Sequence, residues 1–239
     1  MEYSDFDKFF CQYSLVIELT NETPLSISSG KTGFGSTDNP IIRVNNMPYI
    51  PGSSIKGVLR SETERYARTT IGDNAVCNIL DPQDEKERQE KLGKQYEPCV
   101  ICSIFGGPTI SSHIFFSNAP LVYNSRVSVV RHVSLDRRTG AGFPSKLYDV
   151  EQIDKGAHFT LTVQLDNLEI LSNDESDKRI ALVIYAISRL LSGIFLGGRK
   201  SIGNGLVRGS LKEAHRYSIS NNKIIQEDAL DKLSRILGG

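Results

Sequence analysis

A chain of 239 residues with 39% hydrophobic and 23% charged positions has room for one large domain or two small ones and the balance of a globular protein with a real core. Lys plus Arg and Asp plus Glu number 28 each, so no global basicity announces a nucleic-acid partner, and any basic surface has to be local. The N-terminus "MEYSDFDKFFCQYSLVIEL" lacks the pattern of a signal peptide, and the longest apolar stretch, "IALVIYAISRLLSGIFLGG", is interrupted by Arg189 and two serines. With four cysteines and no leader, the expectation is a cytoplasmic protein whose Cys cluster binds metal rather than forming disulfides.

In chain order, residues 13–19, "YSLVIEL", have the length and β-branched content of a strand, which "NETPL" ends. A loop runs to residue 51, and a helix starts after Gly52 with Ser53 or Ser54 as N-cap, carrying Ile55, Val58 and Leu59 inward as far as about Ala67. Residues 73–98 read as an insertion containing the charged helical excursion "DPQDEKERQEKLGK", which has no apolar face. "HIFFSNAPLVY" and "RVSVVRHVSL" read as strands, and "DRRTGAGFPSKLYDVEQIDKG" leaves the sheet before "AHFTLTVQL" rejoins it. A polar excursion of that length is a flap of the kind built for binding. A second helix over 176–196 buries Ile180, Val183, Ile184, Ile187, Leu190, Leu191 and Ile194, followed by "GGRKSIGNG", a last strand "LVRGSL" and an amphipathic C-terminal helix "QEDALDKLSRIL". Strand, helix, strand, strand, helix, strand is the α+β order of a single ferredoxin-like (RRM-like) domain, here with large insertions at 73–102 and 136–155.

Several groups carry chemistry. Asp38 in "GSTDNPIIR" precedes Asn-Pro, where an aspartate ordinarily caps a turn. Lys56 and Arg60 lie four apart on one helix face, next to the amides of Ser53 and Ser54, a combination suited either to phosphate or to a plain solvated stripe. In "GGRKSIGNG" the glycines permit close backbone approach and Arg199 and Lys200 add charge, while the absent Gly-Lys-Ser/Thr ending argues against nucleotide hydrolysis. Cys77, Cys99 and Cys102 have the spacing of a structural Zn2+ knuckle completed by His113 or His132, or else are ordinary buried thiols; Cys11 has no role.

Four stretches in order, "IPGSSIKGVLRS", "CVICSIFG", "HVSLDRRTGAGFPSKLYDVEQIDKGAHF" and "GGRKSIGNGLVRG", resemble the RAMP superfamily of CRISPR proteins, and within it the repeating backbone subunit of type III effector complexes. The resemblance implies guide-RNA binding through Ser53, Ser54, Lys56, Arg60, Arg199 and Lys200, with target-RNA cleavage by Asp38. It implies cleavage that depends on Mg2+ or Mn2+, with Asp38 either holding the metal or accepting the 2′-hydroxyl proton, and products ending in 2′,3′-cyclic phosphate and 5′-hydroxyl. The flap corresponds to a thumb that wedges between base pairs, with Arg137 and Arg138 at its root and Phe143, Pro144, Leu147 and Tyr148 toward bases. Expected partners are guide RNA, complementary target RNA, copies of the chain and other effector subunits. The competing reading is a structural, non-cleaving subunit of the same kind; a guide-processing nuclease would carry histidines near the first helix, where this chain has none.

Overall fold

Every second residue from Cys11 to Asn21 is buried, and the strand that this alternation builds lies at the centre of the main sheet. The computed structural model describes residues 6–30, 37–77, 90, 98–107, 110–123, 125–172 and 176–238. In chain order the elements are β1 (Cys11–Asn21), β2 (Arg43–Val44), β3 (Met47–Ile50), α1 (Gly52–Thr70), α2 (Cys102–Phe105), β4 (Ile114–Phe116) and β5 (Ala119–Pro120). They continue with β6 (Val127–Leu135), β7 (Gly142–Ile153), β8 (His158–Asp166), α3 (Lys178–Ser192), β9 (Ile194–Phe195), β10 (Leu206–Ser220), β11 (Lys223–Asp228) and α4 (Leu230–Leu237).

The main sheet has the order β11-β10-β1-β8-β4, with every neighbouring pair antiparallel. α1 carries the chain from β1 past β8 to β4, and α3 carries it from β8 past β1 to β10. Each crossover skips one strand, which is the arrangement expected of the β-α-β-β-α-β order. Leu15, Ile17 and Leu19 of β1 and Phe159, Leu161 and Val163 of β8 form the core with Ile55 and Leu59 of α1 and Val183, Ile187 and Leu190 of α3. Each such side chain gains about 1.5–3 kcal/mol from burial, so this layer holds the fold and leaves loops free to carry function.

Three elements depart from the sequence reading. Residues 126–135 do not join the main sheet: β6 pairs with β7 as a separate two-stranded hairpin, so the flap spans Val127 to Ile153 rather than 136–155. The second helix stops at Ser192, because Gly193 takes φ +122°, and Ile194–Phe195 pairs with β10. The last strand is 15 residues long, and Gln226–Asp228 belongs to β11, not to the terminal helix. The cause is a two-residue turn in which Asn221 and Asn222 have φ +51° and +58°, conformations that Asn tolerates and that reverse a hairpin. The charged excursion over residues 81–94 lies, apart from Glu90, outside the described residues.

The segment "GGRKSIGNG" is a pinned loop. Gly198 N–H donates to the Ser26 carbonyl and Gly205 N–H to that of Pro24, each at 2.9 Å. Gly205 has φ +86°, and a Cβ there would lie 2.0 Å from the Leu196 carbonyl oxygen. Gly205→Ala should therefore cost about 3 kcal/mol and lower the melting temperature by roughly 6–12 °C in thermal denaturation. An unchanged melting temperature would show that the approach is not this close.

Candidate nucleic-acid interface

The candidate site forms where the loop before α1 meets the outer edge of the β6–β7 hairpin. Leu25 and Ile153 exchange backbone hydrogen bonds at the hairpin's root, and Asn39 donates to the Asp149 carbonyl and accepts from Glu151 N–H higher up. Glu151 Oε2 then accepts from Ile41 N–H at 3.0 Å and from Arg43 Nη1 at 2.7 Å. Burial opposes the Glu151 charge, but the Arg43 guanidinium outweighs it and holds the carboxyl below its usual pKa. Backbone hydrogen bonds and the Arg43–Glu151 ion pair fix the loop to a hairpin far away in sequence.

Asp38 is exposed at the head of this seam, and its Oδ2 accepts from Asp149 N–H at 2.9 Å. Asp149 is itself paired across the hairpin with Arg131, whose Nε and Nη2 donate to its two oxygens at 2.9 and 3.1 Å. That forked contact holds the Asp149 carboxyl below its usual pKa. Among the described residues Asp38 joins no cluster of three metal-ligating side chains, so a hard cation there would rest on Asp38 and substrate oxygens.

Arg137 and Arg138 are exposed at the far tip of the hairpin, not at its root, in a turn where Asp136 Oδ1 accepts from Arg138 N–H. Phe143 and Leu147 are 46% and 62% exposed nearby, whereas Tyr148 turns back onto its own chain, stacked on His132 at 5.4 Å between ring centroids. The side chain of Pro144 lies outside the described residues. In the pinned loop Lys200 is exposed, but Arg199 reaches the hairpin: its Nη1 donates to His132 Nε2 at 2.7 Å.

Lys56 and Arg60 do share a face of α1, but that face is turned inward. Lys56 Nζ donates to Ser112 Oγ and the Ile114 carbonyl, and burial together with Arg60 holds the ammonium below its usual pKa. Arg60 donates to Glu64, to the Gly106 carbonyl and to Cys102 Sγ. Both cations anchor the segment after α2 instead of forming a solvated stripe. The N-cap of α1 is Pro51 rather than a serine; Ser54 N–H donates to the Pro51 carbonyl, and Ser53 is exposed beside it.

Cys77, Cys99 and Cys102 meet in the core with sulfur separations of 3.5 Å from Cys77 to each of the others. Tetrahedral zinc with about 2.3 Å bonds sets its sulfurs roughly 3.8 Å apart, so the trio fits three corners of such a site. Hydrogen bonds from Cys102 and then Cys77 push the Cys99 thiol down, while the same contacts and burial push the Cys77 and Cys102 thiols up, so the trio shelters one thiolate between two thiols. Neither proposed histidine belongs to the cluster: His113 is stacked on Phe6 with Nδ1 on the Asp166 carbonyl, and His132 is on the hairpin. Residues 78–98 contain no His or further Cys.

The open face of the main sheet carries Ser14, Val16 and Glu18 on β1 and Thr160, Thr162 and Gln164 on β8, with Glu18 paired to Lys212. On this face of β1 and β8 the aromatic ring is that of His158, at the start of β8, with Tyr123 edge-on to it at 6.3 Å between centroids.

Sequence reasoning missed Arg131, Asp149 and Glu151, and offered His132 as a metal ligand and not as part of this hairpin. The usable signal was the hairpin register: once residues 127–135 are folded onto 147–153, Arg131 must face Asp149 and His132 must face Tyr148.

The model of the RAMP superfamily matches residues 18–208. A Methanocaldococcus jannaschii protein named CRISPR system Cms endoribonuclease Csm3 is 24% identical over 241 residues, covering 92% of this chain and 89% of its own. The protein of that name from Methanothermobacter thermautotrophicus is 36% identical over 109 residues, 44% of this chain and 37% of its own. The one from Enterococcus italicus is 26% identical over 188 residues, 75% of this chain and 80% of its own.

Proposed function

The chain belongs to the RAMP superfamily, and we propose that it is a backbone subunit of a type III CRISPR effector complex that binds guide RNA and cleaves complementary target RNA. The observation that carries the proposal is Asp38: an exposed carboxylate held by the Asp149 amide at the side of a projecting hairpin with two arginines at its tip. The relatives' shared name, a CRISPR endoribonuclease, supports the same reading.

RNA brings its own nucleophile. Asp38 takes the proton of a 2′-hydroxyl, the 2′-oxygen bonds to the adjacent phosphorus, and the bond to the 5′-oxygen breaks, that oxygen taking a proton from water. A hard cation, Mg2+ or Mn2+, held by Asp38 and phosphate oxygens would neutralise the charge that builds on phosphorus. Lys200, Ser53, Arg137 and Arg138 supply the exposed contacts to RNA, and Phe143 the apolar one. Arg199, Lys56 and Arg60 leave the set of phosphate ligands because their side chains are engaged within the protein. The three thiols of Cys77, Cys99 and Cys102 would hold a structural Zn2+. Among the described residues no helix is long and apolar enough to cross a membrane, and the RNA substrates place the work in the cytoplasm.

One observation favours a second reading, a structural subunit without activity: an Asp38 oxygen already accepts a backbone N–H, as the aspartate of a simple loop clasp does. The deciding experiment assembles the chain with guide RNA, partner subunits and end-labelled target in Mg2+ or Mn2+. A ladder of products at constant spacing supports cleavage; intact target bound to a complete assembly selects the structural reading. In the same assembly Arg137→Ala with Arg138→Ala should weaken RNA binding across sequences and reduce the log–log salt slope by about 1 to 2. An unchanged slope removes the tip from the interface.

A further inference from the structure

Two stretches that the sequence keeps far apart, the Asp38 loop and the glycine-rich loop, touch the same hairpin at adjacent registers. His132 faces Tyr148 across β6 and β7, and the next pair is Arg131 with Asp149, whose amide holds Asp38. Arg199 Nη1 donates to His132 Nε2 at 2.7 Å, and its guanidinium lies 5.4 Å from the centroid of the Tyr148 ring. An arginine has only donors, so His132 is the acceptor and carries its proton on Nδ1. Arg199 thus engages both members of one cross-strand pair.

The base from which it reaches is rigid. Gly198 and Gly205 tie the loop to Ser26 and Pro24, and Arg199 itself takes φ +59°, its carbonyl accepting from Ile202 and Asn204. A left-handed arginine between two pinned glycines has its direction set by backbone, not by side-chain chance.

From this geometry we infer that Arg199 is a positioning residue for cleavage: it braces the hairpin at the register beside the one that holds Asp38. The inference rests on Asp38 as the cleaving carboxylate, but the brace itself is observable without RNA. A guanidinium suits both contacts at once, because one planar group donates to the imidazole from a nitrogen while its carbon lies over the phenol ring; the compact ammonium of lysine has no such fork. Losing the brace lets the Asp149 amide and Asp38 drift, and a displacement of about 1 Å is enough to slow a positioned reaction on the order of 100-fold.

The test compares wild type with Arg199→Ala, Arg199→Lys, His132→Ala and His132→Gln, the last keeping an acceptor. Amide hydrogen exchange of the unliganded chain is read over residues 37–42 and 147–153, and single-turnover cleavage, guide affinity and its salt slope in the assembled complex. Arg199→Ala and His132→Ala should speed exchange at both segments and slow cleavage about 10- to 100-fold with guide affinity and slope unchanged. The double alanine variant should be no slower than either single one, and His132→Gln should recover most of the rate. Arg199→Lys should resemble Arg199→Ala. Unchanged exchange overturns the brace whatever the cleavage result, and so does a lowered salt slope with an unchanged single-turnover rate, the signature of a phosphate ligand. Faster exchange in a protein whose wild type cleaves no target keeps the brace and removes Asp38 from chemistry.

Discussion

Replacing Asp38 with alanine should slow target cleavage by about 10²–10⁴-fold, the range a positioned proton acceptor supplies, while guide binding and assembly persist. The side chain is exposed and, among the described residues, touches the hairpin through the hydrogen bond it accepts from Asp149 N–H. The loop keeps its backbone bonds from Asn39 and the Glu151 contacts to Ile41 and Arg43 after that bond is gone. Loss of one negative charge beside RNA should tighten binding slightly if it changes it at all. Gel-shift affinity and the product ladder, measured on one assembly, separate the effects. Equal cleavage by the two proteins would assign Asp38 to the loop alone, and Asp38→Asn, which keeps the acceptor for Asp149, controls for a loosened loop.

Protein purified without chelators should hold about one zinc per chain, and stripping it should lower the melting temperature sharply. Zinc binding to sites of this kind is apparent folding free energy on the order of 10 kcal/mol, and losing even about 4 of it lowers the melting temperature by roughly 8–16 °C in a domain of this size. The damage should reach α1, because Arg60 bridges Cys102 Sγ to Glu64 and the Gly106 carbonyl. Cys102→Ser should reproduce the loss without chelator. Metal analysis finding no zinc, with melting unaffected by chelation, would leave the trio as packed thiols.

The order of strands and the helix stripes were legible in the sequence because burial dictates them: Leu15, Ile17 and Leu19 alternate, and Val183, Ile187 and Leu190 recur at helical spacing. Asp38, the Cys trio and the exposed tip arginines were legible as residue types in a pattern. What stayed hidden depended on partners distant in sequence. Lys56 and Arg60 look identical whether they face water or a carbonyl; only the return of Ser112 and Gly106 against α1 decides it. β6 looks like a sheet strand because Val127, Val129 and Val133 alternate, yet Val129 and Val133 remain about half exposed. The Asn-Asn pairs at 45–46 and 221–222 carried a turn signal in plain view, both residues of each taking positive φ, and reading the second one would have made Lys223–Asp228 a strand and started the terminal helix at Leu230.

The pairing of Cys11 with Ser218 sets when the molecule can exist during its synthesis. β1 leaves the ribosome first, and its partner β10 emerges about 200 residues later, which at 5–20 residues per second is a wait of about 10–40 s. Until β8 arrives in the later part of that interval, the central strand of the eventual sheet has no neighbour on either side. A chain released early, after β8 but before β10, would offer β1 as an open edge to any other strand, so prematurely terminated copies should be found with chaperones or in aggregates and not in assemblies.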